Sequence, residues 1–331
     1  PLMSPGMEVI VANKLYGGTI NLMGKSYRKF GWKAIFVDTD NPEDFRRAVT
    51  ENTRAIFIEN LANPGGVVAD LEAIAKVANE AGVPLVVDNT MATPFLSQPI
   101  EWGADIVVHS TTKFLSGQGN ALGGVVIDSG KFPWLGNSKY PSLSEPSPEY
   151  NGLTFAETFG DLAYTMYSHA ISLRDLGCSQ SPMNAWITLN GIETLPLRIE
   201  RHCSNALAVA QFLEKHPNVE WVSHAGLESS PYYELGKKYL PDGTGSVFTF
   251  GVKGGYESGL KMLETVELFS HVANIGDTHS LILHPASTTH RQLSKEQLIT
   301  AGAGPEVVRL SIGIECAEDL IADLDQALKR L

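Results

Sequence analysis

Several features that would tie a chain to a membrane, a nucleic acid or a metal are scarce here. No apolar run is long enough to span a bilayer, so no membrane partner is expected. Positive charge is short: 25 Lys and Arg stand against 37 Asp and Glu, a net charge of −12 at pH 7. That balance argues against nucleic acid and anionic membrane surfaces as partners. Cysteine is rare. Cys178, Cys203 and Cys316 form no CxxC pair and no disulfide-like pattern, which reads as idle thiols in a reducing cytoplasm. The nine histidines are scattered, and His284 and His290 lack the spacing of a helical metal pair, so no metal is expected. No GxGxxG follows the first apolar strand, which removes the dinucleotide-binding fingerprint. Repeats and low-complexity tracts are absent. A hydrophobic content of 43% with 19% charged residues is ordinary for a folded globular protein, and 331 residues allow two domains with a large core.

What is present centres on residues 83–127. Two short Val-rich runs, 83–87 and 104–108, have the apolar character of parallel strands buried on both faces. The first runs into Asp88-Asn89-Thr90 and the second into His109-Ser110-Thr111-Thr112-Lys113. Open α/β sheets bind ligands outside the carboxyl ends of their strands. Asp88 and Lys113 both fall at such ends. Gly117, Gly119, Gly123 and Gly124 then allow a turn back into a third strand, 125–127.

A strand-end acid paired with a strand-end lysine suits one cofactor closely. Pyridoxal phosphate (PLP) forms a Schiff base with a lysine, and an acid must keep its pyridine nitrogen protonated for the ring to act as an electron sink. Ser110 and Thr112 carry hydroxyls suited to a phosphate. Taken singly, a strand-end Asp is more often a turn or helix cap, and a lone Lys is more often solvated surface. The joint pattern is what those readings do not explain.

Along the rest of the chain, a strand at 7–12 precedes Tyr16-Gly17-Gly18 and a helix to Phe30. The two glycines let the backbone approach a flat ligand; alternatively, Tyr16 is a core aromatic near a turn. Strands at 34–37 and 54–58 flank a helix that starts at Asn41-Pro42-Glu43, with an N-cap and a proline at the first turn. Asn63-Pro64-Gly65-Gly66 is a turn. A helix over 71–81 carries apolar residues at 71, 74, 75, 78 and 81 and stops at Gly82. This alternation predicts a mostly parallel sheet between helices. Residues 129–160 break the pattern and read as an insertion loop, either a plain surface excursion or an active-site rim or subunit contact. Helices follow at 162–176 and 184–195, then a long one to about Lys215. Beyond it come strands near 219–222, 246–252 and 281–283, and helices near 256–269, 294–302 and 317–330. Within the apolar run 307–313, Arg309 needs an anionic partner: an internal acid or a substrate carboxylate.

The segments VVDNTMATP (86–94) and HSTTKFLSGQGN (109–120) resemble the Cys/Met-metabolism family of PLP enzymes. VANIGD (272–277), HPASTTH (284–290) and the 129–160 insertion are most similar to its sulfhydrylase branch. The resemblance implies a fold-type I PLP-dependent transferase: a PLP-binding large domain over 1–195 and a smaller C-terminal α/β domain over 196–331. It implies Lys113 as the Schiff-base lysine and the base at the substrate Cα, Asp88 at the ring nitrogen, and Tyr16 stacked on the ring and assisting proton transfer. Asn63 contacts the oxygen beside the aldehyde carbon, and Arg309 clamps the substrate carboxylate. Asn274 stands where several lyases of the family carry serine, with a corresponding substrate contact. The implied reaction is γ-replacement on O-acetylhomoserine by sulfide or a thiol, giving homocysteine (or methionine) and acetate. The implied assembly is a homotetramer, a dimer of active-site-sharing dimers.

Two departures matter. Gly18 replaces a cysteine of the methionine γ-lyases. Family members also extend further at the N-terminus, with part of the phosphate site there, so a chain that starts at Pro1 and opens its first strand at once is expected to be short of that part. The alternatives are cystathionine γ-synthase or methionine γ-lyase activity within the family, or a PLP-poor folded scaffold.

Overall fold

Two sheets joined by one long helix organise the computed structural model, which describes residues 2–63, 65–289, 291, 298 and 302–331. The first sheet begins with β1 (Glu8–Ala12), β2 (Lys33–Val37) and β3 (Thr53–Glu59). A small antiparallel pair follows, β4 (Leu61–Ala62) with β5 (Val67–Val68). β6 (Leu85–Asp88), β7 (Ile106–Ser110) and β8 (Gly124–Asp128) complete the sheet in the order β2-β1-β3-β6-β7-β8. Every pairing in it is parallel except β7 with β8.

The parallel sheet expected from the βα alternation is therefore present, with two strand bounds moved. The runs at 83–87 and 104–108 pair over 85–88 and 106–110 instead. Pro84 has no N–H to give a ladder, and the Asp105 carboxylate takes the Leu85 N–H at 2.9 Å. The shift carries Asp88 and Ser110 into the last strand positions.

Capping explains the helices that frame this sheet. Asn41 accepts from the Glu43 N–H and opens the helix Pro42–Ala48. Asp70 accepts from the Ala73 N–H and opens Leu71–Ala81, which ends at Gly82 with φ +62°. That helix buries Leu71, Ile74, Val77 and Ala78 against the sheet, each large side chain contributing roughly 1.5–3 kcal/mol. The helix expected to run to Phe30 is present only as an α turn, a π turn and a 3-10 turn in succession.

The insertion at 129–160 is more ordered than a loop. Turns and short helices bring Phe132, Trp134, Tyr140, Leu143 and Phe155 into a buried cluster with Ile106 of β7. The Trp134 and Tyr164 rings stack at 5.4 Å. Aromatic burial of this kind is stabilising by itself, and it holds the segment against the sheet. None of its residues lines the cavity described below.

The second sheet contains β9 (Val219–Ser223), β10 (Val247–Val252), β11 (Ser270–His271), β12 (Leu281–Leu283) and β13 (Val307–Ser311), ordered β11-β12-β13-β10-β9. It is antiparallel apart from β11 with β12. The helix Leu195–Glu214 links the two halves. Its Leu195, Ile199 and Cys203 belong to the first core, and its Ala206, Val209, Ala210 and Leu213 to the second. The helix expected over 256–269 ends at Thr265. Asp323 stops it by accepting the N–H groups of Glu267, Leu268 and Phe269. Apart from residues 298 and 302, the helix expected near 294–302 lies outside the described residues, as do the motif residues Pro64 and His290. Among the described residues, no helix is long and apolar enough to cross a membrane.

Candidate active site

A cavity of about 280 Å³ opens where the carboxyl ends of β3, β6 and β7 meet β13, at the small end of the range for ligand pockets. All eight residues singled out in the sequence line it: Tyr16, Asn63, Asp88, Ser110, Thr112, Lys113, Asn274 and Arg309. Residues from both halves of the chain thus share one space.

The wall from the first sheet is built from strand ends. Asp88 closes β6, and its carboxylate accepts the Thr90 N–H at 2.9 Å. The Thr90 hydroxyl in turn accepts the Ser110 N–H at 2.8 Å, tying the ends of β6 and β7 together. Behind them, Asn60 donates to the Asn89 side chain at 2.9 Å, and Asn89 donates to the carbonyls of Thr93 and Ser97. Both asparagines are buried, so each bond made here also satisfies a buried amide N–H.

Lys113 follows β7 in the turn Thr111–Leu115. The Thr112 hydroxyl clips that turn to Gly123, accepting its N–H at 3.1 Å and donating to its carbonyl at 3.3 Å. Arg198 reaches across from the linking helix to donate to the Phe114 carbonyl at 2.8 Å. Gly276, with φ +73°, lies so close to the Phe114 N–H that any Cβ there would collide with it. The lysine segment is therefore gripped from both halves.

Lys113 Nζ donates to the Asn274 amide oxygen. The Arg309 guanidinium donates to the Asn63 amide oxygen at 3.3 Å and to the Asn274 backbone carbonyl at 3.1 Å. Neither Lys113, Arg309 nor Asp88 forms an ion pair among the described residues. Among the described residues, no internal acid pairs with the strand arginine. Burial holds the Lys113 ammonium below its usual range, and the Arg309 charge adds to that. Burial likewise lowers Arg309, to about 10, so it remains a cation near neutrality. Burial pushes the Asp88 carboxyl up, against the two hydrogen bonds from Thr90.

Tyr16 is no core aromatic. Its side chain is 54% exposed, at the mouth of the cavity. Taken together, an unpaired acid, an unpaired lysine and a flanking aromatic ring fit PLP, with the Ser110 and Thr112 side chains on the same wall for a phosphate. Two cations without carboxylate partners would also receive an amino-acid carboxylate.

The family described as Cys/Met metabolism PLP-dependent enzymes matches residues 1–329. The chain belongs to that family. Its relatives include an O-acetyl-L-homoserine sulfhydrylase of Leptospira meyeri, 48% identical over all of this chain and 76% of that one. A homocysteine synthase of Schizosaccharomyces pombe is 46% identical over 99% of this chain and 77% of that one. A solved structure described as an O-acetylhomoserine (thiol)-lyase of Campylobacter jejuni, containing a pyridoxyl-lysine monophosphate, superposes with a TM-score of 0.95 at 42% identity. That match covers 98% of this chain and 78% of the other. This PLP family has a fold-type I α/β architecture, and the two sheets described above are its form here.

The cavity of this PLP enzyme also has a wall residue that the sequence reading passed over. Glu59 ends β3, directly paired with Asp88 across β3 and β6. Its signal was the same as that of Asp88: an acid closing an apolar strand. Arg198 carried no comparable signal, because the Phe114 carbonyl it holds is brought near only by the fold.

Proposed function

We propose that this PLP-dependent chain catalyses γ-replacement on O-acetylhomoserine, sulfide or a thiol displacing acetate to give homocysteine (or methionine). The observation that carries the reading is the single cavity in which Asp88, Lys113 and Arg309 stand without ion partners, in a chain whose relatives are named for this chemistry.

When bound, PLP supplies an electron sink for charge developing at the substrate Cα. Lys113 would hold the group through its aldehyde carbon, and its lowered pKa favours the neutral amine that this requires. Once displaced by the substrate amine, Lys113 takes the proton from Cα. Asp88 holds the ring nitrogen protonated, and Ser110 and Thr112 hold the phosphate. Tyr16 covers the ring and assists proton transfer, and Asn63 contacts the ring oxygen. Arg309 clamps the substrate carboxylate. Asn274 holds Lys113 Nζ in place between proton transfers. A second proton leaves Cβ, acetate departs from Cγ with its bonding pair, hydrosulfide forms the new bond at Cγ, and the two protons return to Cβ and Cα to give homocysteine.

The proposed assembly is a homotetramer in the cytoplasm. Exposed apolar side chains of the first half support it, notably Val126, Met183, Trp186 and Leu189. The three free thiols suit a reducing compartment.

The test is a product assay on the purified protein with O-acetylhomoserine, with and without sulfide. Homocysteine and acetate should dominate when sulfide is present, and Lys113→Ala should abolish both turnover and the visible band of bound PLP. Borohydride reduction should place the pyridoxyl group on Lys113. Dominant 2-oxobutyrate with sulfide in excess, or a label on another lysine, overturns the reading.

A further inference from the structure

Glu59 is 4% exposed and forms no ion pair among the described residues. A carboxylate in such a place is costly unless hydrogen bonds replace its lost water. It has two. One oxygen accepts the Tyr16 N–H at 2.7 Å and the other accepts the Asn63 N–H at 3.0 Å. The two residues so held are the proposed ring cover and the proposed contact to the ring oxygen. They lie on different loops, one after β1 and one between β4 and β5, and Glu59 is the side chain that joins them.

Tyr16 depends on this anchor. Its hydroxyl makes no hydrogen bond among the described residues, its ring is largely exposed, and two glycines follow it. Asn63 has more support, since Arg309 donates to its side chain. We propose that Glu59 is a positioning residue that sets Tyr16 and Asn63 against the cofactor, an inference that rests on reading the cavity as a PLP site. A carboxylate suits the task because both its oxygens accept, whereas an amide would turn a donor toward one of the two N–H groups.

Glu59 also faces Asp88 across the strand pair. Burial and the Asp88 charge push the Glu59 carboxyl well above its usual range, while the two backbone N–H groups pull it down. Two adjacent acids without a cation are a strained arrangement in the free site. A protonated ring nitrogen held by Asp88 supplies the missing positive charge.

The test uses Glu59→Gln, nearly the same shape, and Glu59→Asp, which keeps the charge but shortens the reach. PLP is titrated into resolved protein and followed by its visible band, and thermal midpoints report folding separately. In Glu59→Gln the PLP dissociation constant should rise and kcat should fall, each by about tenfold, as expected for one lost charge-assisted hydrogen bond. KM should move little. Glu59→Asp should lie between that variant and wild type, and it carries the test by itself if Glu59→Gln does not fold. In a Tyr16→Phe, Glu59→Gln double variant the losses should be less than multiplicative if Glu59 acts through Tyr16. Unchanged PLP affinity and kcat in either Glu59 variant, whatever the thermal midpoint, overturns the inference while wild type still binds PLP. A wild-type chain that forms no band overturns the reading of the site and this inference with it.

Discussion

Asn274 touches Lys113 and Arg309 at once: its amide oxygen accepts from Lys113 Nζ, and its backbone carbonyl accepts from the Arg309 guanidinium at 3.1 Å. It comes from the loop after β11, so the C-terminal half of the chain sets the position of a lysine in the N-terminal half. Hydrogen bonds to charged groups contribute about 1.5–3 kcal/mol. Asn274→Ala should therefore lower kcat roughly tenfold to a hundredfold, with Lys113 still labelled after borohydride reduction. The backbone contact to Arg309 survives this substitution, so KM should change less than kcat. Steady-state kinetics separate the two, and a loss confined to KM would remove Asn274 from the lysine's role.

Asp88→Asn should keep PLP on Lys113 but lower turnover by orders of magnitude. A neutral amide cannot hold a pyridinium charge, whereas it can still accept from Thr90. The fold should be retained, because burial disfavours the charged form of Asp88 in the free site. Activity within about twofold of wild type, a difference of roughly 0.4 kcal/mol, would leave Asp88 a structural residue only.

Much of this site was legible because its residues break a local pattern. An acid, a lysine and an arginine in or beside apolar strands are expensive to place without a reason, and Asp88, Lys113 and Arg309 stood out on those grounds. Strand and helix positions followed from apolar runs, the Asn41 cap and the stop at Gly82. Three things were out of reach. The ladder bounds of β6 and β7 depend on where Asp105 spends its carboxylate. The end of the helix Gly255–Thr265 depends on Asp323, a residue far along the chain. The order in 129–160 comes from aromatic rings that meet only in three dimensions. Glu59 shows the opposite failure: its pattern matched that of Asp88, and the sequence reading passed over it.

Gly18 should be sensitive in activity and tolerant in stability. A Cβ built on Gly18 would overlap the Tyr16 ring. That ring is exposed and can swing aside, so Gly18→Ala should shift the thermal midpoint little. The ring would then leave its place over the cavity. Turnover should fall several-fold or more, and the visible band of bound PLP should change in position or intensity. A variant with wild-type kcat and spectrum would show that the orientation of Tyr16 seen here is not the one used.

Arg309 should affect the cofactor and the substrate in separable ways. Its charge, after burial, is the second cause that holds Lys113 below the usual lysine range. Removing a nearby like charge favours the protonated amine, so Arg309→Met should raise the pKa of Lys113. Burial remains, and it is the larger cause, so the return toward an ordinary lysine should be partial. Only the neutral amine attacks the PLP aldehyde. The rate at which resolved protein takes up PLP should therefore rise with pH, and its midpoint should lie at higher pH in Arg309→Met than in wild type. At neutral pH the variant should take up PLP more slowly. Its KM for O-acetylhomoserine should rise as well, because the carboxylate clamp acts in the ground state. Replacing a buried, unpaired charge with an apolar side chain of similar length is often neutral for stability, so the thermal midpoint should hold. Following the visible band after PLP addition, from neutral to alkaline pH, measures the first effect independently of turnover. A midpoint that stays put or moves down would show that the two cations do not share the cavity in the way described.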